Sequence, residues 1–192
     1  MNDNKNTIED VNILPIDQEL DEEALKAQQA QEDLEDELGL KIKLSSRRDE
    51  RHLAFYLLYA IDRSDYELEL PDAIDDFEEA FECSIPRLSF PVLVAKGVVE
   101  LREQFDQQLL PHLKNWRLER IGCCTKLILH MAMWEFTLPG AIPSIVINEA
   151  IELAKEFAEK DAYKFINGIL DEMTKKKNEI TANEIADDEN EQ

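Results

Sequence analysis

Arg47, Arg48 and Arg51 crowd the start of an apolar stretch, with His52 beside them. Arg47 and Arg51 are four apart, so on a helix they share a face. Guanidinium groups gathered at a helix start are suited to binding phosphate oxygens. The plainer reading of the same residues is an ordinary charged helix start, and Asp49 and Glu50 between them dilute the positive charge. Other chemistry-bearing residues are sparser. Cys83, Cys123 and Cys124 are an odd set without metal-ligand spacing and read as reduced, small apolar residues. His52, His112 and His130 are scattered and form no His-x-x-x-His or Cys/His array. Glu135 and Glu149 sit among apolar residues. A buried carboxylate must find donors or neutralise, so a helix cap or an inter-helix hydrogen bond is expected of them rather than acid–base catalysis. There is no phosphate loop, nucleophile elbow or His-Glu-x-x-His motif. The reading is therefore of a protein that is not an enzyme and holds no cofactor or metal.

The elements that carry these residues are helical. Gly (5) and Pro (7) are scarce, several segments repeat apolar residues every three or four positions, and no alternating strand pattern stands out. The class predicted is all-α, a compact bundle of about seven helices. Ser45 or Ser46 caps a first helix that is apolar nearly all round, through Leu53, Phe55, Leu57, Leu58 and Ile61. Pro71 opens a second, with Ala73, Ile74, Phe77, Ala80 and Phe81 inward and six acids around the other face. Leu93, Val94, Gly97, Val98, Leu101, Phe105 and Leu109 form the stripe of a third, closed by Pro111. Residues 112–121 read as a short helix with Leu113, Trp116 and Ile121 inward. Cys123 to Phe136 is densely apolar and hence buried. The stretch from Ile142 to Met173 reads as two amphipathic helices. Pro143 stands in the first turn of one, with Ile145, Ala150, Ile151, Ala154 and Phe157 on its face. Asp161 caps the other, and its pattern runs through Asn167-Gly168. Gly168 reads as a point where another helix packs close.

Charge divides the chain. The net charge is −22, but residues 1–44 hold 13 acids against 4 bases and residues 178–192 hold six acids and no base. Residues 45–66 and 93–177 are neutral overall, so an acidic total does not exclude a local basic face. The organisation expected is an acidic, largely disordered or loosely helical arm over 1–44, a helical domain over 45–177, and a flexible acidic tail over 178–192. No apolar run approaches the roughly 20 residues of a membrane span, and the polar start does not read as a leader. A soluble, cytoplasmic protein is expected, with no membrane partner.

One resemblance is long and specific. The run from Asn148-Glu149-Ala150 through Glu152-Leu153-Ala154-Lys155 and Asp161 to Lys164-Phe165-Ile166-Asn167-Gly168-Ile169-Leu170 resembles the C-terminal signature of the NusB family of bacterial transcription antitermination factors. The arginine segment running into a helix with Leu58-Tyr59 near its middle, Arg117 to Ile121, and Ile128 to Phe136 are similar too. The resemblance covers about 45–63 and 89–174. It implies binding of single-stranded boxA-type RNA together with the ribosomal protein NusE. The setting would be an RNA polymerase antitermination complex with NusA and NusG, acting in rRNA transcription. It also implies that Arg47, Arg48 and Arg51 neutralise phosphates, that Glu119, Asp161, Lys164 and Phe165 lie at the RNA, and that Tyr59 lies at the partner surface. The family arrangement would bring Asp161, Lys164 and Phe165 beside the three arginines. Asp75 and Glu79 suit a basic partner on charge alone. His130 stands where the family usually has arginine, Ala158 where it often has glycine, and Ala162 replaces a usual serine. These departures and the diluted arginine segment favour the alternative, a diverged helical protein–protein interaction module that has lost RNA binding.

Overall fold

The computed structural model describes residues 44–113 and 116–175; the acidic arm and tail lie outside them. The described residues are all-helical, as the apolar periodicity predicts, with six α-helices and two 3-10 turns. Helix α1 spans Arg47–Arg63, α2 Leu70–Phe81, α3 Phe90–Leu109, α4 Cys123–Glu135, and α5 Pro143–Phe157. A last helix, α6, spans 162–175. Ser46 caps α1, its Oγ accepting from the Asp49 N–H at 3.2 Å. Proline stands in the first turn of α2, α3 and α5. None of these helices is long and apolar enough to cross a membrane.

Helix α4 is the centre. Leu127, Ile128, Leu129, His130 and Met131 are all within 1% of full burial, and α4 packs on α1, α3 and α5. It runs antiparallel to α1: Glu135 at its C-terminal end meets Arg51, and Cys123 at its start donates its S–H to Asp62 at 2.8 Å. Its approach to α3 depends on Gly97, where a Cβ would collide with the Trp134 ring.

Several expectations are corrected by rotation of a face or loss of a helix. On α5 the buried residues are Val146, Ala150, Leu153 and Ala154, while Ile145 is exposed. On α3 Leu93 points outward, and on α2 Ala80 and Phe81 do so. In place of the helix expected over 112–121, the described residues of this stretch hold two 3-10 turns, Leu110–His112 and Leu118–Arg120. Trp116 between them is 57% exposed. α6 does run through Asn167-Gly168, but Gly168 is exposed, and a Cβ there would meet nothing.

Candidate nucleic-acid interface

The arginine segment occupies the start of α1, and each guanidinium there has a partner. Arg51 is buried and binds the Glu135 carboxylate through two hydrogen bonds, Nε at 2.8 Å and Nη2 at 2.7 Å. A buried carboxylate between apolar neighbours needs such a donor. Arg51 therefore fastens α1 to α4 and turns no charge outward. Arg48 is exposed and donates to Glu149 of α5 at 3.3 and 3.2 Å; that bond holds its pKa above the ordinary arginine value. Arg47, also exposed, pairs with Glu50 at 2.8 Å and lies over the Phe90 ring at 4.1 Å. His52 lies 3.2 Å from Glu156.

A second cluster forms where α5 turns into α6. Asp161 adopts a left-handed backbone (φ 69°) at this turn. Its side chain pairs with Lys164 at 2.7 Å rather than capping α6; this pairing raises the Lys164 pKa. Phe165, one turn on, meets Trp116 with ring centroids 5.7 Å apart at 53°. Trp116, Arg120, Glu159, Lys160, Asp161 and Phe165 line a cavity of about 400 Å³. Glu159 accepts from the Thr125 hydroxyl at 2.7 Å and lies against Gly122, where a Cβ would strike its carboxylate. Glu119 and Arg117 line an adjoining cleft that shares Trp116 and Arg120.

The two clusters are not neighbours. Arg51 reaches α4 at Glu135, whereas the cavity reaches it at Thr125 and Gly122. Ten residues of helix separate those points, roughly 15 Å along the axis. The expected placing of Asp161, Lys164 and Phe165 beside the arginines is thus corrected: they lie at opposite ends of α4. Of the partner-surface residues, Tyr59 is exposed on α1 and lies over Phe55 at 6.1 Å. Glu79 is exposed on α2, and Asp75 is engaged by Arg87 at 2.6 Å.

Residues 48–175 match the NusB family model. The chain belongs to the NusB family. It is 36% identical over 127 residues to the transcription antitermination protein NusB of Staphylococcus haemolyticus, covering 65% of this chain and 96% of that protein. With the NusB of Trichlorobacter lovleyi it shares 39% over 128 residues, 66% of this chain and 89% of that one. Among solved structures it is similar to T. maritima NusB, with a TM-score of 0.57 and 25% identity over 68% of this chain and 92% of that chain. A chain in a structure titled as a plectonemic RNA supercoil has the same fold, with a TM-score of 0.59 at 24% identity over 67% and 94% of the two chains.

Within this NusB-family bundle, Trp116, Arg117, Arg120 and Lys160 line the same two clefts, beyond the site residues the sequence pattern singles out. The available signal was an aromatic residue interleaved with basic ones between two apolar helices. Hydrophobicity alone assigns a tryptophan to the interior, whereas Trp116 is exposed.

Proposed function

We propose that this chain is a transcription antitermination factor that binds single-stranded boxA-type RNA together with the ribosomal protein NusE. It acts in an RNA polymerase complex with NusA and NusG, in the bacterial cytoplasm. The observation that carries the RNA reading is exposed Trp116, packed on half-buried Phe165, among Arg117, Arg120, Lys160 and Lys164. Single-stranded nucleic acid is held by aromatic faces that stack on bases and by cations that follow the backbone. Lys164, Asp161, Phe165 and Glu119 form the base-contacting side, and Arg47 and Arg48 meet phosphates beyond it. Arg51 contributes by fixing the start of α1. Tyr59, Asp75 and Glu79 face the protein partner, where acidic side chains suit a basic surface.

A second reading, a helical protein–protein module without RNA binding, is favoured by the occupation of Arg47, Arg48 and Arg51 by carboxylates. A titration of labelled boxA-type RNA against the full chain, with and without NusE and at several salt concentrations, decides between them. Two phosphates neutralised by Arg47 and Arg48 give a log–log salt slope of about −1.4, and four phosphates give about −3. Binding no tighter than that of a scrambled RNA, with NusE present, leaves only the second reading.

A further inference from the structure

Between α1 and α2 lies a groove of about 590 Å³, lined by Leu44, Asp49, His52, Tyr56, Phe77 and Phe81 among others and within the size range of clefts that take a ligand group. Its aromatic wall is uncovered. Tyr56 is 45% and Phe81 52% exposed, and the Phe81 ring lies 4.3 Å from that of Phe77. Aromatic side chains exposed together in a concave patch mark a surface that a partner covers. The rim is acidic. Helix α2 carries five acids and no base. Of these, Asp72 and Asp76 are exposed and engaged by no cation among the described residues. Asp49 stands in the wall itself, where the Ser46 and Ser45 hydroxyls donate to its Oδ2 at 2.8 and 2.9 Å and hold its carboxyl below the usual carboxylate range. We propose that this groove docks a basic protein segment, which sets one large apolar side chain on the rings of Tyr56, Phe77 and Phe81 and its Lys or Arg side chains against Asp49 and the α2 acids.

Charge chooses the occupant. Nucleic acid and anionic lipid carry phosphates, which this rim repels. A second copy of the chain would bring a net charge of −22 to it, and the chain's own residues 1–44, with 13 acids against 4 bases, are of the same sign. A basic segment is attracted, and complementary potentials set its rate of encounter and its register. Charge alone would give an association that salt dissolves; aromatic anchors that lose their water on docking supply the part that salt leaves intact. Arginine fits such a wall twice over, since its guanidinium can lie on a ring face while it reaches a carboxylate. Arg47 does both within this molecule, over Phe90 and against Glu50. The groove is a further site: Tyr59, Asp75 and Glu79, given to a protein partner above, do not line it, and the inference draws on neither that assignment nor the RNA reading.

The test uses the full chain and fluorescence anisotropy with three labelled peptides of equal length: lysines and arginines flanking a central Phe-Leu pair, the same bases flanking Ser-Gly, and glutamates flanking Phe-Leu. The first should bind about tenfold tighter than the second, the size of effect that one buried anchor gives, and the third should not bind. Phe81→Ser should remove that tenfold advantage while the melting temperature, read by circular dichroism, stays within a few degrees; Tyr56→Ser gives the same readout should Phe81→Ser unfold. Asp72→Asn with Asp76→Asn should weaken the first peptide about threefold at low salt and hardly at high salt. Equal binding of the first two peptides, or an advantage that survives both ring substitutions, overturns the proposal and leaves a merely acidic surface. Phe81→p-benzoylphenylalanine then identifies the occupant by photocrosslinking. Coupling to the basic apolar peptide is expected. Coupling instead to a second copy, to residues 1–43 of the same chain or to single-stranded RNA, with the peptide present, overturns the proposal in favour of that occupant.

Discussion

At the start of α1 the arginines are spent. Arg51 is buried against Glu135, Arg48 is held by Glu149 and Arg47 by Glu50 and Phe90. At the turn before α6, some 15 Å along α4, no ion pair engages Arg117, Arg120 or Lys160 among the described residues. A large aromatic stands exposed among them. The first region has the more conspicuous sequence cluster and the second the more available surface. Three arginines in five residues are a charge count; whether they bind anything outside the chain depends on which carboxylates the fold brings to them. Here α4 and α5 each bring one.

The largest effect should come from unfastening the first region. Arg51→Ala leaves Glu135 buried without its donors, and removing one partner of a buried pair costs about 3–5 kcal/mol. Urea unfolding monitored by circular dichroism should show that loss. A change below about 1 kcal/mol would mean that Arg51 is not a fastener and is free to meet a ligand.

The second region should respond in binding and hardly at all in stability. Trp116→Ala removes an exposed ring, and loss of one base-stacking platform costs about 1–3 kcal/mol, roughly a 5- to 150-fold weaker Kd for single-stranded RNA. The melting temperature should stay within a few degrees. If the variant unfolds while RNA affinity per folded molecule is unchanged, the ring is packing and the contrast between the two regions fails.

The floor beneath the second region is set by the start of α4, and a thiol reports on it. Burial and the Asp62 carboxylate push the Cys123 thiol up to about 12, so at neutral pH it stays protonated. In a Cys83→Ser, Cys124→Ser background its alkylation by iodoacetamide should rise about tenfold per pH unit from pH 7.5 to 10, because only the thiolate reacts. Asp62→Asn removes the negative charge and replaces one carboxylate oxygen by an N–H donor, and should speed the reaction severalfold at fixed pH. A rate already level by pH 9 would show that the end of α1 does not hold the start of α4 in this way.

The helices were legible because burial on one face leaves a 3.6-residue period, and α1 and α4 carry it strongly. The demand of Glu135 for a donor was legible from its apolar neighbours, although its partner, Arg51, lies 84 residues away and only the antiparallel packing of α1 and α4 selects it. What was misread has a common cause. A period fixes that a face exists but tolerates rotation by one residue, about 100°, and that moved Ile145 out and Val146 in. The described residues around Trp116 form two short 3-10 turns with no helical face to place it, and hydrophobicity alone points it inward. Asp161 was read as a side-chain cap. Its left-handed backbone and its pairing with Lys164 depend on the turn geometry between two helices, which no local pattern records.

The smallest effect is also the most direct comparison of spent with available charge. Glu149→Gln removes the carboxylate that holds Arg48, and with it a longer 3.6 Å contact to Arg51, but leaves the two-bond Arg51–Glu135 pair in place. Arg48 is half exposed, so the lost ion pair should change stability little. Its guanidinium, released from α5, becomes free for a phosphate, and RNA affinity at low salt should rise about threefold, a gain that fades as salt screens it. The same substitution in an Arg48→Ala background should give no gain, which assigns the effect to Arg48 rather than to a general reduction in negative charge. An equal gain in both backgrounds would mean that only net charge had changed. No gain in either would place the RNA wholly at the Trp116 end, and the arginine segment would then be a device for closing the bundle.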